Sequence, residues 1–308
     1  MMAVSPVAWP GHVFAPYVDE TTDSATDLNL VGLSQASGVK FFTLGFITSD
    51  QRSNPVWGDA ANSLTSRDFG TTLVNSINNL RAIGGDVTIS FGGAGSKELA
   101  QMITNTTQLQ AAYQKVISKY GVTHIDLDIE GPAITDKASI DRRSTALAAL
   151  QKANSGLSIS FTLPVLPTGL TASGLYVLKS AMAKGVAFSK VNIMAMDYGD
   201  YNAPKPAGKM GDYAIQAAQS TAAQLAKLQG KAAPDQATWA MIGVTPMIGV
   251  NDVRSEVFDV TEARELTDFA KSQGLGLLSM WSVDRDHPRI SGGPSDYAFS
   301  AIFDDYQD

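Results

Sequence analysis

The chain has no cysteine and only three histidines among its 308 residues. The first absence excludes a disulfide framework, a thiol nucleophile and a thiolate metal site, and leaves the redox compartment open. His12, His124 and His287 show no ligand spacing, so a metal centre built on imidazoles is not expected, nor is any cofactor. Charge is sparse as well. Only 17% of residues are charged and the net charge is −7, which argues against nucleic acid or an anionic membrane as partner and fits a neutral or cationic ligand. No apolar run is long enough to span a membrane, and the stretch from Met1 to Pro16 lacks the charged-then-apolar order of a signal peptide. The protein is therefore expected to be cytosolic or to have lost a leader. No Pro/Ser linker, charge block or low-complexity tract divides the chain, so a single domain over 1–308 is expected.

What the chain does have is the stretch His124-Ile125-Asp126-Leu127-Asp128-Ile129-Glu130, closed by Gly131 and Pro132. As a strand, its period of two sets Asp126, Asp128 and Glu130 on one face and Ile125, Leu127 and Ile129 on the other. The acid row is ~13 Å long at ~3.3 Å per residue, with Glu130 at the C-terminal end. Carboxylates this close repel one another as anions, and enclosure adds a desolvation cost, so some of them hold protons near neutrality. A general acid arises in this way. The plain alternative is an amphipathic edge strand with a solvated acidic face.

The surrounding pattern decides between these readings. Val13 to Val18, Val39 to Thr48, Asp86 to Phe91, the acidic strand, Leu157 to Leu163, Val191 to Met196, Trp239 to Val244 and Leu275 to Val283 read as strands. Helical segments alternate with them: Leu28 to Ala36, Asp68 to Ala82, Glu98 to Lys119, Lys137 to Asn154, Leu175 to Ala183, Tyr213 to Leu228, Glu262 to Ser272 and Tyr297 to Phe303. Eight strand–helix units predict an α/β fold, a (β/α)8 TIM barrel. A doubly wound sheet is the rival, weakened because no Gly-x-Gly-x-x-Gly turn follows the first strand. Inside a barrel, acids at Asp126 and Asp128 are costly unless hydrogen-bonded and functional, so the edge-strand reading recedes.

In a barrel, side chains at the carboxyl ends of the strands build the site. Candidates there are Tyr17, Ser90 with Gly92 and Gly93, Glu130, Asp197 with Tyr198, and Trp281. The small residues Gly92 and Gly93 are expected to keep the floor beside the acids open, with the Ser90 hydroxyl as a donor. Trp57, in the Pro/Gly-flanked stretch Asn54 to Gly58, reads as an exposed platform for sugar stacking. Met194, Met196, Met241 and Met247 read as core filler near the rim. The Asp304-Asp305 and Asp308 tail reads as solvated surface.

Taken together, Ser90-x-Gly92-Gly93, Asp126-x-Asp128-x-Glu130, Met196-Asp197-Tyr198 and the late Trp281 resemble glycoside hydrolase family 18, the chitinases, across essentially all eight repeats. The resemblance implies a (β/α)8 barrel and a substrate-assisted route. By position, Glu130 would protonate the glycosidic oxygen, Asp128 would orient the substrate acetamide, and Asp126 would share a proton with Asp128 from below. Trp281 would lie under the sugar at the cleavage point. The chain departs from the family signature D-x-x-D-x-D-x-E at Thr123, which stands in place of the first Asp. It departs again on the sixth strand, where Met196 takes the usual Tyr place and Tyr198, one residue late, is the candidate for the hydroxyl that holds the acetamide. Met196 and Asp197 are carried over as substrate-binding residues.

Asp128 and Glu130 leave one strand on one face, so they cannot flank a sugar ring as an ordinary acid and nucleophile do. Another nucleophile is required, and the acetamide oxygen of the substrate can serve. The expected function is a secreted, monomeric, retaining chitinase, with endo-type action favoured, cleaving β-1,4-linked N-acetylglucosamine in chitin and its oligosaccharides. An endo-β-N-acetylglucosaminidase on N-glycans, a non-catalytic chitin-binding lectin, and a hard-cation site on the three acids are the alternatives.

Overall fold

The computed structural model of the chain describes residues 4–19, 29–58, 62–63, 69–95 and 97–306. The helix starts expected at Leu28 and Asp68 lie outside them, as does Asp308. Eight strands, among the described residues, form a parallel ring. They are β1 (Val13–Phe14 continuing as Tyr17–Asp19), β2 (Phe41–Ser49), β3 (Asp86–Gly92), β4 (His124–Asp128), β5 (Ser158–Leu166), β6 (Lys190–Ala195), β7 (Ile242–Pro246) and β8 (Leu277–Leu278). The ring closes through β1. Its first half pairs with β8, Val13 opposite Leu277, and its second half with β2, Tyr17 opposite Thr43. The strands are near-continuous apolar runs because one face meets the helices and the other the barrel interior.

Each strand leads into a helix: α1 (Leu30–Ser37), α2 (Phe69–Ala82), α3 (Thr106–Tyr120), α4 (Lys137–Ala153), α5 (Ala172–Ala183), α6 (Met210–Leu228), α7 (Val260–Gln273) and α8 (Ala298–Asp304). Local chemistry sets several of their ends. Asn105, Asp136, Thr171 and Asp259 accept hydrogen bonds from first-turn amides of α3, α4, α5 and α7, and Gly38, Gly121 and Gly274 end α1, α3 and α7 in the left-handed conformation. Ile125, Leu127 and Ile129 belong to the hydrophobic layer between strands and helices, and Phe91 meets Tyr113 of α3 edge-on at 5.1 Å. The alternate positions of the same strands point inward.

Several expected boundaries change for physical reasons. The helix over Glu98 to Lys119 is two pieces, Leu99–Met102 and α3, because Asn105 starts a new cap. Trp239 ends a short helix, Gln236–Trp239, instead of beginning β7. Pro164 does not stop β5; it pairs with Met194, and Val165 and Leu166 go on to fold back on Gly169–Leu170. Near the end of β8 only two residues keep full ladder geometry, although Trp281 still donates its amide to Pro246 O at 2.9 Å.

Trp57 requires the largest correction. The segment Pro55–Trp57 is a strand, antiparallel to the far end of β2, and Trp57 is fully buried with 0% exposure. Its Nε1–H donates to the Tyr120 hydroxyl at 2.8 Å. Flanking proline and glycine ended a β-hairpin arm here instead of opening a loop, so Trp57 is a core residue and offers no stacking surface.

Candidate active site

The inward face of β4 carries the acids in the predicted order. Asp126 is 2% exposed and Asp128 4%. The strand itself stops at Asp128, but Ile129 N still bonds Thr162 O at 3.0 Å and Glu130 keeps extended dihedrals (φ −139°, ψ −174°). Alternation therefore carries one step past the ladder, and Glu130 emerges above Asp128 at the first turn of the following 3-10 helix.

Asp126 is held by four hydroxyls. Ser160 (2.5 Å) and Thr162 (2.9 Å) donate to Oδ1, while Ser90 (2.7 Å) and Tyr17 (3.0 Å) donate to Oδ2. The strand register explains the convergence, since Ser90 and Ser160 are the direct neighbours of Asp126 on β3 and β5. Thr162 in turn accepts from Asn192 Nδ2 at 3.0 Å, and Thr245 donates to Asn192 Oδ1 at 2.9 Å. Burial raises the Asp126 carboxyl, and the hydroxyls pull it back by solvating the anion. The hydrogen bond to Asp128 through which a proton would be shared is not made: hydroxyls fill the lone pairs of Asp126. The charge of Asp126 raises the carboxyl of its neighbour Asp128.

Asp128 is the opposite case. Its Oδ1 is buried with no hydrogen-bond partner. Desolvation, then the charges of Glu130 and Asp126, push its carboxyl well above the ordinary range. Glu130 is raised too, by desolvation and then by Asp197. A buried, unpartnered carboxyl oxygen costs on the order of 1–3 kcal/mol unless a ligand supplies the missing bond.

Both acids open on a cavity of about 340 Å³ at the carboxyl ends of the strands. Tyr17, Phe46, Trp281, Met194, Met196, Met247, Thr162, Thr245, Asp197 and the segment Ala94-Gly95 contribute to its wall. Phe46 and Trp281 lie 5.6 Å apart with planes at 26°, and Tyr17 meets Trp281 at 5.8 Å, which gives an apolar wall beside the acids. Asp197, at φ +50°, turns the chain after β6 and accepts from Val253 N at 2.8 Å. Its carboxyl is raised chiefly by desolvation.

Several expected roles shift. Gly92 and Gly93 do not line the cavity themselves. Gly92, at φ +112°, passes so close to β4 that an added Cβ would lie 2.0 Å from the Asp128 carbonyl oxygen, and Gly93 N donates to that oxygen at 3.1 Å. Both residues set the height of Asp128, and the loop they begin supplies Ala94 and Gly95. Met194, Met196 and Met247 are cavity wall and not core filler.

Tyr198 turns the other way. It is 3% exposed, absent from the cavity wall, and packed edge-on to Tyr213 of α6 at 6.2 Å. The buried Glu256 accepts from the amides of Tyr198 and Gly199 at 3.1 and 2.7 Å, which fixes this turn. Tyr198 therefore does not supply the acetamide hydroxyl. Removing that hydroxyl in Tyr198→Phe is expected to leave kcat/KM on soluble oligomers within about twofold, because an unpartnered buried hydroxyl offers the folded state little. Steady-state kinetics of the variant are the check, and a tenfold loss would return Tyr198 to the site.

Residues missed in the sequence are Asp19, Phe46, Thr162, Thr245, Asp252 and Ser160. Ser158, Ser160 and Thr162 do form a period-two polar stripe beside the acids, a signal that could have been read. Phe46 sits in an apolar run where nothing but the preceding Gly45 and the register shift between Leu44 and Ile47 sets it apart.

An acid trio climbing one strand of a (β/α)8 barrel, to a cavity walled by aromatic rings, defines a glycoside hydrolase. The chain belongs to the glycosyl hydrolases family 18, whose profile matches residues 13–246. It is 37% identical over 317 residues to a probable bifunctional chitinase/lysozyme of Escherichia coli (strain K12), covering 96% of this chain and 34% of that protein. It is also 37% identical over 292 residues to endochitinase 11 of Metarhizium anisopliae, covering 91% of this chain and 54% of that protein. The chain thus spans about a third to a half of these relatives. Among solved structures, catalytic-site mutants of active domain 2 of the thermostable chitinase from Pyrococcus furiosus, complexed with chito-oligosaccharides, match with a TM-score of 0.86. That likeness comes at 34% identity and covers 97% of this chain and 96% of that one.

Proposed function

We propose that this barrel is the catalytic unit of an endo-type retaining chitinase, acting outside the cell on β-1,4-linked N-acetylglucosamine polymers. The observation that carries the mechanism is that Asp128 and Glu130 leave the same side of β4 and its extended continuation, and both line the cavity. Glu130, its carboxyl raised by burial and then by Asp197, gives its proton to the glycosidic oxygen as the bond to C1 breaks. The acetamide oxygen of the same sugar closes on C1 from the opposite side, forming an oxazolinium. Asp128 accepts the acetamide N–H, which orients that oxygen and offsets the positive charge. Glu130, now a carboxylate, takes a proton from the water that reopens the ring. Trp281 and Phe46 supply apolar surface for the sugar, and Asp126, held in place by its hydroxyls, adds to the negative field beneath Asp128.

The names of the relatives support a chitin substrate. The test is the first products from a defined N-acetylglucosamine oligomer. Internal cleavage with β-configured new reducing ends is expected. Inverted, α-configured products would remove the acetamide from its role as nucleophile.

A further inference from the structure

A second cavity, of about 90 Å³, lies at the opposite end of the ring, among the amino ends of the strands. His124 opens β4, Ser158 opens β5 and Lys190 opens β6, and the segment ahead of β1 folds beneath them. In that segment Val7 N donates to the buried Asp86 at 2.8 Å. Trp9 lies against Phe41 at 4.8 Å and stacks on His124 at 4.4 Å with planes at 26°. The indole forms the floor of the cavity, and Asp126 is part of its roof.

N–H donors are in surplus here. Trp9 Nε1–H is buried with no hydrogen-bond partner. Lys190 is half-buried and enters no ion pair among the described residues. Its ammonium donates to Ala240 O at 2.9 Å, which leaves most of its donor capacity unused. Gly276 makes room for this group, since an added Cβ would lie 2.6 Å from Lys190 Nζ. The charge is felt next door: burial, and then Lys190, pulls His124 down to about 4, so its ring is neutral at pH 7. Acceptors show no such surplus. Asp126 is the one carboxylate among the described lining residues, and four hydroxyls already fill its lone pairs.

We propose that this cavity binds a small monovalent anion, of the size of chloride, between Trp9 Nε1–H and the Lys190 ammonium. Water can satisfy the indole, but it leaves the charge of Lys190 uncompensated. An anion meets both, and its attraction to the ammonium is several times stronger in a partly desolvated pocket than in bulk water. The volume admits a few water-sized particles and shuts out an ion as large as gluconate. Once bound, the ion ties the segment ahead of β1 to the start of β6, so occupancy stabilises the fold.

The experiment follows thermal unfolding of the full chain at neutral pH in sodium gluconate, with chloride or bromide replacing gluconate at a constant ionic strength of about 0.2 M. Either halide is expected to raise Tm saturably, by about 2 °C or more. Trp9→Phe keeps a ring on His124 and removes the donor, whereas Lys190→Met keeps the stem and removes the charge. In each variant the halide-dependent rise should fall by about half or more. Anomalous scattering from crystals grown in bromide should place the ion within hydrogen-bond reach of Trp9 Nε1 and Lys190 Nζ. Equal or lower Tm of the wild type in halide than in gluconate would overturn the proposal. So would a halide effect undiminished in Trp9→Phe, or crystals in bromide with no anomalous peak in this cavity.

Discussion

Glu130→Gln is expected to lower kcat on N-acetylglucosamine oligomers by about 10³-fold or more while KM moves no more than a few-fold. The amide keeps the size and hydrogen-bonding reach of the acid but cannot release a proton to the leaving oxygen. The cavity wall formed by Trp281, Phe46 and Asp128 is untouched. Steady-state kinetics paired with calorimetric titration of an oligomer separate the two effects, and a variant turning over at near the wild-type rate would remove Glu130 from the chemistry. The same proton sets the pH profile of the wild type. Glu130 works as an acid only while protonated, so kcat/KM falls as pH rises through its pKa. Desolvation and then Asp197 place that pKa above the ordinary value of 4.5, so the alkaline limb should lie above 4.5 as well.

The second large effect is expected at Asp128. Asp128→Asn should reduce kcat by about 10²- to 10³-fold, in the range lost when one preorganised electrostatic partner of a transition state is removed. An amide in this position can still meet the acetamide, but it no longer carries negative charge to set against the oxazolinium. The loss should be confined to substrates that react through an acetamide. An activated glycoside whose 2-position cannot participate would lose far less, if it is cleaved at all. Comparing the two substrate types by kinetics is the check, and an equal loss on both would point to a general disturbance of the cavity.

Much of this was legible in the sequence because the physics is periodic. Alternation on β4 separates Asp126, Asp128 and Glu130 from Ile125, Leu127 and Ile129, and eight repeats of strand and helix allow few ways to close. Ser160 and Thr162 went unread although they form a polar stripe on a strand whose other face is Ile159, Phe161 and Leu163, all buried. What was hidden depends on chain reversals. Trp57 looked like a loop residue because proline and glycine flank it, yet the reversal makes a hairpin and pulls the indole under Tyr120. Tyr198 follows Asp197, whose positive φ swings the next side chain out of the cavity and towards α6. Asp252 lies in an irregular stretch with no period at all, and only the folded chain brings it beside Asp197.

The polar column inside the ring, from Thr245 through Asn192 and Thr162 to Asp126, shares no atoms with the greasy sleeve between strands and helices. Exchanging a hydroxyl at Ser160 or Thr162 therefore shifts proton affinities at the reacting end and also takes a hydrogen bond from a buried carboxyl, whereas exchanging an aliphatic at Ile159 or Leu163 changes packing and heat tolerance alone.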